Sequence, residues 1–298
     1  MRYYQEPLQK AAADIAEAVF PFDYRGMRIA MRRVPADAYA RAARALLKHN
    51  PGVAVLATGF PVRGTAETDG PPGAAAVGRA LQILGWTVVT VVDPITYPVV
   101  AAVLDQFGEI EQLDVSERAA AESATAGLLK RVRPDVVIAI ERPGLTDDGR
   151  LTNLRGEDLD HRTVPLDGLL DAPLSIAIGD GGNELGMGAI SGFLRDRGIV
   201  QAPCVTRATH LLLASVSNWG AYGLVSALEI LAQQALAPNQ ADDHRWMMEI
   251  HEAGAVDGIT GRSEMTVDTF PENRTGRVIN QLTTVRKLHA KNIENYSV

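Results

Sequence analysis

The sequence predicts an α/β fold, a mostly parallel sheet with helices on both faces. Five short apolar runs, several rich in Val and Ile, have the length and composition of strands buried on both sides. Helical patterns lie between or after most of them, and that alternation marks a parallel sheet. Each run is also followed at once by a stretch of Gly, Pro or polar residues. In a parallel sheet such loops emerge together at the carboxyl edge, where open α/β sheets bind ligands.

In chain order the first strand is "VAVLA" at 53–57, with the loop "TGFPVRGTAETDGPPG" after it. "PPGAAAVGRALQILG" follows as a helix with Pro at its start, Val77, Leu81 and Leu84 on its apolar face, and Gly85 as its stop. "TVVTVV" at 87–92 is the second strand, and "DPITYP" its loop. Ser116 is placed to cap "ERAAAESATAGLLKRV", a helix that ends before Pro134. The third strand, "DVVIAI" at 135–140, leads into "ERPGLTDDG". The segment from Arg142 to Pro165 is long, charged and weakly periodic, the pattern of either a functional lid or a mobile excursion. "LSIAI" at 174–178 and "HLLLASV" at 210–216 complete the five, followed by "GDGGNELGMG" and "SNWGAYG". "AYGLVSALEILAQQAL" sets Leu224, Leu228 and Leu231 on one side of a helix. The N-terminal helices and "RVINQLTTVRKLHAKNI" are expected to pack outside the sheet. No repeat, low-complexity tract or linker divides the chain, so residues 1–298 are expected to form a single α/β domain.

Composition removes several functional classes. An apolar share of 46% and a charged share of 22% over 298 residues are ordinary for a soluble globular protein. The net charge of −7, with no basic run, argues against nucleic acid and anionic membrane surfaces as partners. No segment has the roughly 20 apolar residues of a membrane helix, and the opening "MRYYQEPLQKAAADIAEAVF" lacks the core and cleavage site of a secretory signal. Cys204 is the sole cysteine, so no intrachain disulfide forms and a cytoplasmic location is expected.

The strand-end loops carry the chemistry. In "GDGGNELGMG", Gly179 and Gly181 fit a dinucleotide fingerprint, but Glu184 stands where its last glycine belongs, and a negative charge there opposes a pyrophosphate. No P-loop lysine follows. The glycines can offer backbone N–H groups to a small anion, while Asp180 and Glu184 suit an ammonium group or a divalent metal; a tight turn is the structural alternative. Asp69 precedes a Pro-started helix and suits capping as well as ligand binding. Asp93 ends a strand, where acids either touch ligands or start turns. Glu141 and Arg142 stand side by side at another strand end. Arg142 and Arg155 are candidate carboxylate clamps, because guanidinium offers a planar two-donor fork. Asn218 offers an amide and Gly220 allows close approach, whereas Trp219 suits packing. Asp257 and Asp268 lie in turns that are surface features unless they fold back onto the sheet edge. The histidines show no metal spacing; His161 is an acid/base candidate or a solvated loop residue. Cys204 has no redox motif around it, and no G-x-S-x-G elbow is present.

Taken in order, "TGF", "ETDGPPGA", "ERPG", "NLRGEDL", "IGDGGNELGMG", "SNWGAYGL" and "GAVDGITG" resemble the D-glutamate cyclase-like C-terminal domain family, in its stand-alone bacterial-type form. The resemblance runs from about Thr58 to Asp268. It implies a Rossmann-like α/β fold and a lyase role in turning D-glutamate into 5-oxo-D-proline with loss of water. In full-length cyclases this domain follows a hydro-lyase-like one, to which no segment here corresponds, so another substrate or a separate partner protein is compatible with the resemblance.

Such a cyclisation needs a curled substrate, a neutral amine and help for the departing oxygen. Asp180 and Glu184, then Glu141, are the candidate catalytic carboxylates. Asp69, Gly70, Arg142, Arg155, Gly181, Gly182, Asn183, Asn218 and Gly220 form the expected substrate-binding set, with the N–H groups around Gly181 and Gly182 as an oxyanion site. Asp180 and Glu184 also permit Mg²⁺ or Mn²⁺. An amine site and a metal site both stay open, as do two other classes: a metal-dependent hydrolase of a phosphorylated metabolite, and a non-catalytic ligand-binding subunit. A small-molecule substrate is expected in each case, with a homo-oligomer or a separate hydro-lyase-like protein as possible assemblies.

Overall fold

The computed structural model describes residues 6–23, 25–115, 117–159 and 163–294. The expected cap at Ser116 and the loop residue His161 lie outside them. Helices α1 (Glu6–Val19), α2 (Met27–Ala30) and α3 (Ala38–Lys48) precede strand β1 (Val53–Thr58). A small hairpin, β2 (Pro61–Val62) and β3 (Thr65–Ala66), leads to α4 (Pro71–Ile83), β4 (Thr87–Val92), α5 (Tyr97–Leu104), β5 (Glu109–Gln112), α6 (Arg118–Val132) and β6 (Val136–Ile140). After a long excursion come β7 (Leu174–Gly179), α7 (Ser191–Asp196), β8 (His210–Leu213), α8 (Ser217–Ala232) and α9 (Gln240–Glu252). A second hairpin, β9 (Thr266–Val267) and β10 (Phe270–Pro271), runs into α10 (Glu272–Glu294).

Six strands form one parallel sheet in the order β5-β4-β1-β6-β7-β8. Numbered by occurrence, that is 3-2-1-4-5-6, the doubly wound order of Rossmann-like sheets. Alternate side chains serve two cores. Ala54, Leu56, Ile138 and Ile140 join the larger one with α4, α5 and α8, while Val55, Ala57, Val137 and Ala139 pack with Ala121 and Leu128 of α6 and with Leu166 and Leu169. Helices α1 and α10 pack on each other and on α8. Among the described residues no helix is long and apolar enough to cross a membrane.

Two elements depart from expectation. The edge strand β5, "EIEQ", has no apolar run; it pairs only with β4, so its charged side chains stay partly in solvent. The run "HLLLASV" stops being strand at Leu213, and "SNWG" is the first turn of α8 rather than a loop. Val216 is the extended N-cap residue (φ −149°), which ends the strand direction and starts the helix.

Candidate active site

Strand order reverses between β1 and β6. The chain leaves β1 toward α4 on one side and leaves β6 toward the 142–165 excursion on the other, which opens a crevice between the two carboxyl ends. Two helices start at it, and a side chain at or just before the start of each caps the other. Asp69 accepts the Ser217 and Asn218 N–H groups of α8, both at 2.8 Å. Asn218 Oδ1 in turn accepts the N–H groups of Gly70 (3.0 Å) and Gly73 (2.8 Å) at the start of α4, while its Nδ2 donates to Thr68 O. Asp69 therefore caps α8 and not the helix that follows it in sequence. Asn218 thus serves as a reciprocal cap, with its Oδ1 taken by two backbone donors and one Nδ2–H by Thr68 O. Gly70, at φ +104°, makes the bend that allows the exchange.

Glu141 follows β6 with φ +44°, a left-handed conformation that costs a non-glycine residue about 1–2 kcal/mol. The strain turns its carboxylate into the crevice, where Oε2 accepts the Ser217 hydroxyl at 2.6 Å. The glycine-rich turn after β7 brings Asp180 and Glu184. Glu184 accepts Gly181 N–H at 2.7 Å and Gly182 N–H at 2.6 Å with its two oxygens. This corrects the oxyanion reading of those glycines, since their donors already hold a carboxylate. A Cβ on Gly181 would stand 2.7 Å from Glu184 Oε1, which explains the glycine there. Asn183 donates to Thr152 O at 3.1 Å and leaves its Oδ1 without a hydrogen-bond partner.

The C-terminal turns do fold back. Thr68 N–H donates to Val256 O at 2.9 Å and its hydroxyl to Thr266 O at 2.7 Å. Asp257 shapes this segment by accepting Ile259, Thr260 and Thr269 N–H and the Thr266 hydroxyl; these bonds, working against burial, hold its carboxyl below the usual range. Asp268, at φ +51°, meets Arg25, whose guanidinium bridges Asp268 (2.8 Å) and Asp180. Glu67 lies against Gly258, where any Cβ would collide with its carboxylate.

The result is a cavity of about 330 Å³ whose wall includes Glu67, Glu141, Glu184, Asn183 and Arg25, with Asp69, Asp180 and Asp268 close behind. Glu67, Asp69, Glu141, Asp180, Glu184 and Asp268 are all buried. Burial and like charges push four of them upward. Glu67 rises well above the usual range through burial and the Asp268 and Asp69 charges. Asp69 rises to about 7 through burial and Asp268, against the N–H groups it accepts. Glu141 rises through burial, Glu184 and Asp180. Asp180 rises through burial although Arg25 opposes it. At the solvent end Arg63 on the β2–β3 turn and Arg155 and Glu157 in the excursion line the same cavity; all three are exposed and, among the described residues, neither arginine is paired with a carboxylate.

The remaining expected residues divide clearly. Arg142 is fully buried, with Nη1 donating to Asp93 Oδ2 (2.7 Å) and Gly59 O (3.1 Å) and Nη2 to Val164 O (2.6 Å). It ties the β1, β4 and β6 loops together and is not a substrate clamp. Against burial that would raise it, Arg142 and the Thr163 and Thr96 hydroxyls hold the Asp93 carboxyl below its ordinary value. Gly220 lets α8 approach β7, since a Cβ would stand 2.7 Å from Ile178 Cγ2, so its role is packing. Trp219 is buried and donates to Thr275 Oγ1 at 3.0 Å. Sequence reasoning missed Glu67, Arg25 and Arg63 and left Asp268 open between a surface turn and a segment folded back onto the sheet edge. Glu67 stood two residues before Asp69 in a motif already singled out; Arg25 lies between short helices with no motif around it. Of the expected metal pair Asp180 and Glu184, Asp180 belongs to a group of three, with Asp69 and Glu141, whose carboxylate oxygens lie within 4.8 Å of one another.

A family model described as D-glutamate cyclase-like, C-terminal, matches residues 17–283. The human protein D-glutamate cyclase, mitochondrial, is 34% identical over 226 residues, which cover 64% of this chain and 36% of that protein. The chain thus spans only about a third of that relative's length. With nine-tenths of its residues inside the family match, the chain belongs to the D-glutamate cyclase-like C-terminal family.

Proposed function

We propose that the protein is a lyase of the D-glutamate cyclase type, which closes D-glutamate to 5-oxo-D-proline with loss of water. Beyond family membership, one observation carries this: the cavity has Glu67, Glu141 and Glu184 at its buried end, where Arg25 is already paired with Asp180 and Asp268, and two arginines, Arg63 and Arg155, against one carboxylate, Glu157, at its mouth. An amino dicarboxylate has the matching pattern, an ammonium that seeks carboxylates and carboxylates that seek guanidinium forks. A volume of about 330 Å³ is near the lower end of small-molecule sites, which suits a single small metabolite. Interior acids oppose a phosphate, so the phosphorylated-substrate reading is the weaker one.

In this scheme the arginines hold the carboxylates while the walls curl the chain, and such alignment supplies several kcal/mol of the barrier. Glu184, fixed by two N–H groups yet with lone pairs left for the cavity, takes a proton from the ammonium. The amine nitrogen then bonds the γ-carbon as one carbon–oxygen bond breaks. Two ammonium protons leave with that oxygen as water, and the enzyme returns to its starting charge. A reducing compartment such as the cytoplasm suits the single buried cysteine.

Incubation of the purified protein with D- and L-glutamate, followed by chiral detection of 5-oxoproline, tests the assignment. Product from D-glutamate is expected, with turnover reduced by roughly 100-fold in Glu184→Gln. Thermal stabilisation by D-glutamate without product would instead make the chain a binding subunit; neither product nor stabilisation would defeat the proposal.

A further inference from the structure

We propose that Asp69, Glu141 and Asp180 form a binding site for one divalent cation of the oxygen-preferring class, Mg²⁺ or Mn²⁺, at the switch point of the sheet. One carboxylate oxygen from each lies within 4.8 Å of the others, a spacing comparable with two metal–oxygen bonds of about 2.0–2.6 Å. The three come from separate segments, after β1, β6 and β7, so the tertiary fold assembles the set. Each retains acceptor capacity. Asp69 uses three of roughly four acceptor positions on Gly70, Ser217 and Asn218 N–H, and Glu141 uses one on Ser217.

Two further observations point to a ligand. Asp180 Oδ2 has no hydrogen-bond partner although Asp180 is only 1% exposed. The Thr58 hydroxyl, wholly buried at the end of β1, also has none. It lies 2.8 Å from where a Cβ on Gly70 would stand, a point 3.0 Å from Glu141 Cβ, and so beside the same cluster. Buried polar atoms rarely go unsatisfied without a functional reason. Of the six buried acids Arg25 pairs with Asp180 and Asp268, and it keeps Asp268 as a partner when Asp180 turns to a cation. An all-carboxylate set with no Cys or His favours hard ions over zinc or copper. When bound, such an ion supplies Lewis-acid polarisation of a carboxyl oxygen. That use rests on the lyase reading above, while the binding itself does not.

The test takes the full chain through EDTA and chelator-free buffer, then titrates it with MnCl₂ alone, followed by calorimetry and by loss of the free Mn²⁺ paramagnetic signal. One Mn²⁺ per chain is expected. Binding should weaken roughly tenfold or more in Asp180→Asn and in Glu141→Gln, with Asp148→Asn, an exposed acid outside the cluster, unchanged. Thermal melts establish that each variant is folded, and either folded cluster variant suffices. Absence of binding at millimolar Mn²⁺, or binding retained by the folded cluster variants, overturns the site. If D-glutamate, and not Mn²⁺, stabilises the chelated protein through Asp180, the cluster is an ammonium pocket and only the metal proposal falls. Mn²⁺ bound at the cluster without any 5-oxoproline formation supports the site and counts against the lyase.

Discussion

Arg142 and Arg155 carry the same guanidinium and have opposite surroundings. Arg142 is wholly buried against Asp93 and two carbonyl oxygens, whereas Arg155 stands exposed at the cavity mouth. Arg142→Gln leaves Asp93 as an uncompensated buried charge and should cost about 3–5 kcal/mol in urea unfolding. Arg155→Ala removes nothing that the fold uses, so stability should stay within about 0.5 kcal/mol. On the cyclase reading, Arg155→Ala raises KM for D-glutamate roughly tenfold or more and leaves kcat within a few-fold, because a clamp binds ground and transition states alike. A KM effect in a stable Arg142 variant, with none at Arg155, would reverse the two roles. From sequence alone both looked like clamps, since a side chain's type does not reveal whether an acid on another loop has already claimed it.

At the scale of elements, α4 and α8 hold each other's first turns. Asn218→Ala strips the side-chain acceptor from Gly73 N–H and one of the two that Gly70 N–H uses, the other being Asp69 Oδ1. Equilibrium unfolding should show a loss of about 1–2 kcal/mol, at the upper end for a cap, because the Gly73 donor is buried. A loss below about 0.5 kcal/mol would mean the exchange is incidental. Between α8 and α9, Tyr222 donates to Asp243 at 2.6 Å, and burial lifts the Asp243 carboxyl to about 6 from 3.8, with Glu272 adding to the rise and His244 opposing it. The folded state therefore holds that proton more tightly than the unfolded chain. Its contribution is complete below about pH 4 and is lost as pH climbs through about 6, an effect on the order of 3 kcal/mol. Asp243→Asn, which mimics the protonated form, should gain stability relative to the wild type over that window and hold the gain above it. Melting temperatures of the two proteins from pH 4 to 8 measure this, and a constant difference would contradict it.

Over the whole molecule, the parallel sheet and the convergence of its loops were legible because buried strands must read as apolar runs and their joins as Gly, Pro and polar residues. The motifs around Asp69, Glu141, Asp180 and Asn218 meet in space, through the bonds of Asp69 and Glu141 to Ser217 and Asn218 and the closeness of the three carboxylates. The edge strand at Glu109–Gln112 was not legible, as a strand buried on one side at most needs no apolar run. Nor were Arg25 and Asp268, whose partners are more than 80 residues away along the chain and whose own surroundings carry no pattern. Asp69 was recognised as a cap and assigned to the wrong helix, because capping read along the chain cannot see that α8 ends up beside α4. These residues matter together only because the strand order reverses between β1 and β6, leaving a crevice that their segments fill from every side.

The central claim is that this crevice receives an amino dicarboxylate with its nitrogen among the acids and its carboxylates at the arginines. A crystal structure of the protein with D-glutamate or 5-oxo-D-proline tests it most directly. The account predicts density inside the cavity, a nitrogen within hydrogen-bond reach of Glu184 and a carboxylate against Arg63 or Arg155. A ligand bound elsewhere with the cavity unoccupied, or bound with its carboxylates turned toward the acids, would contradict it.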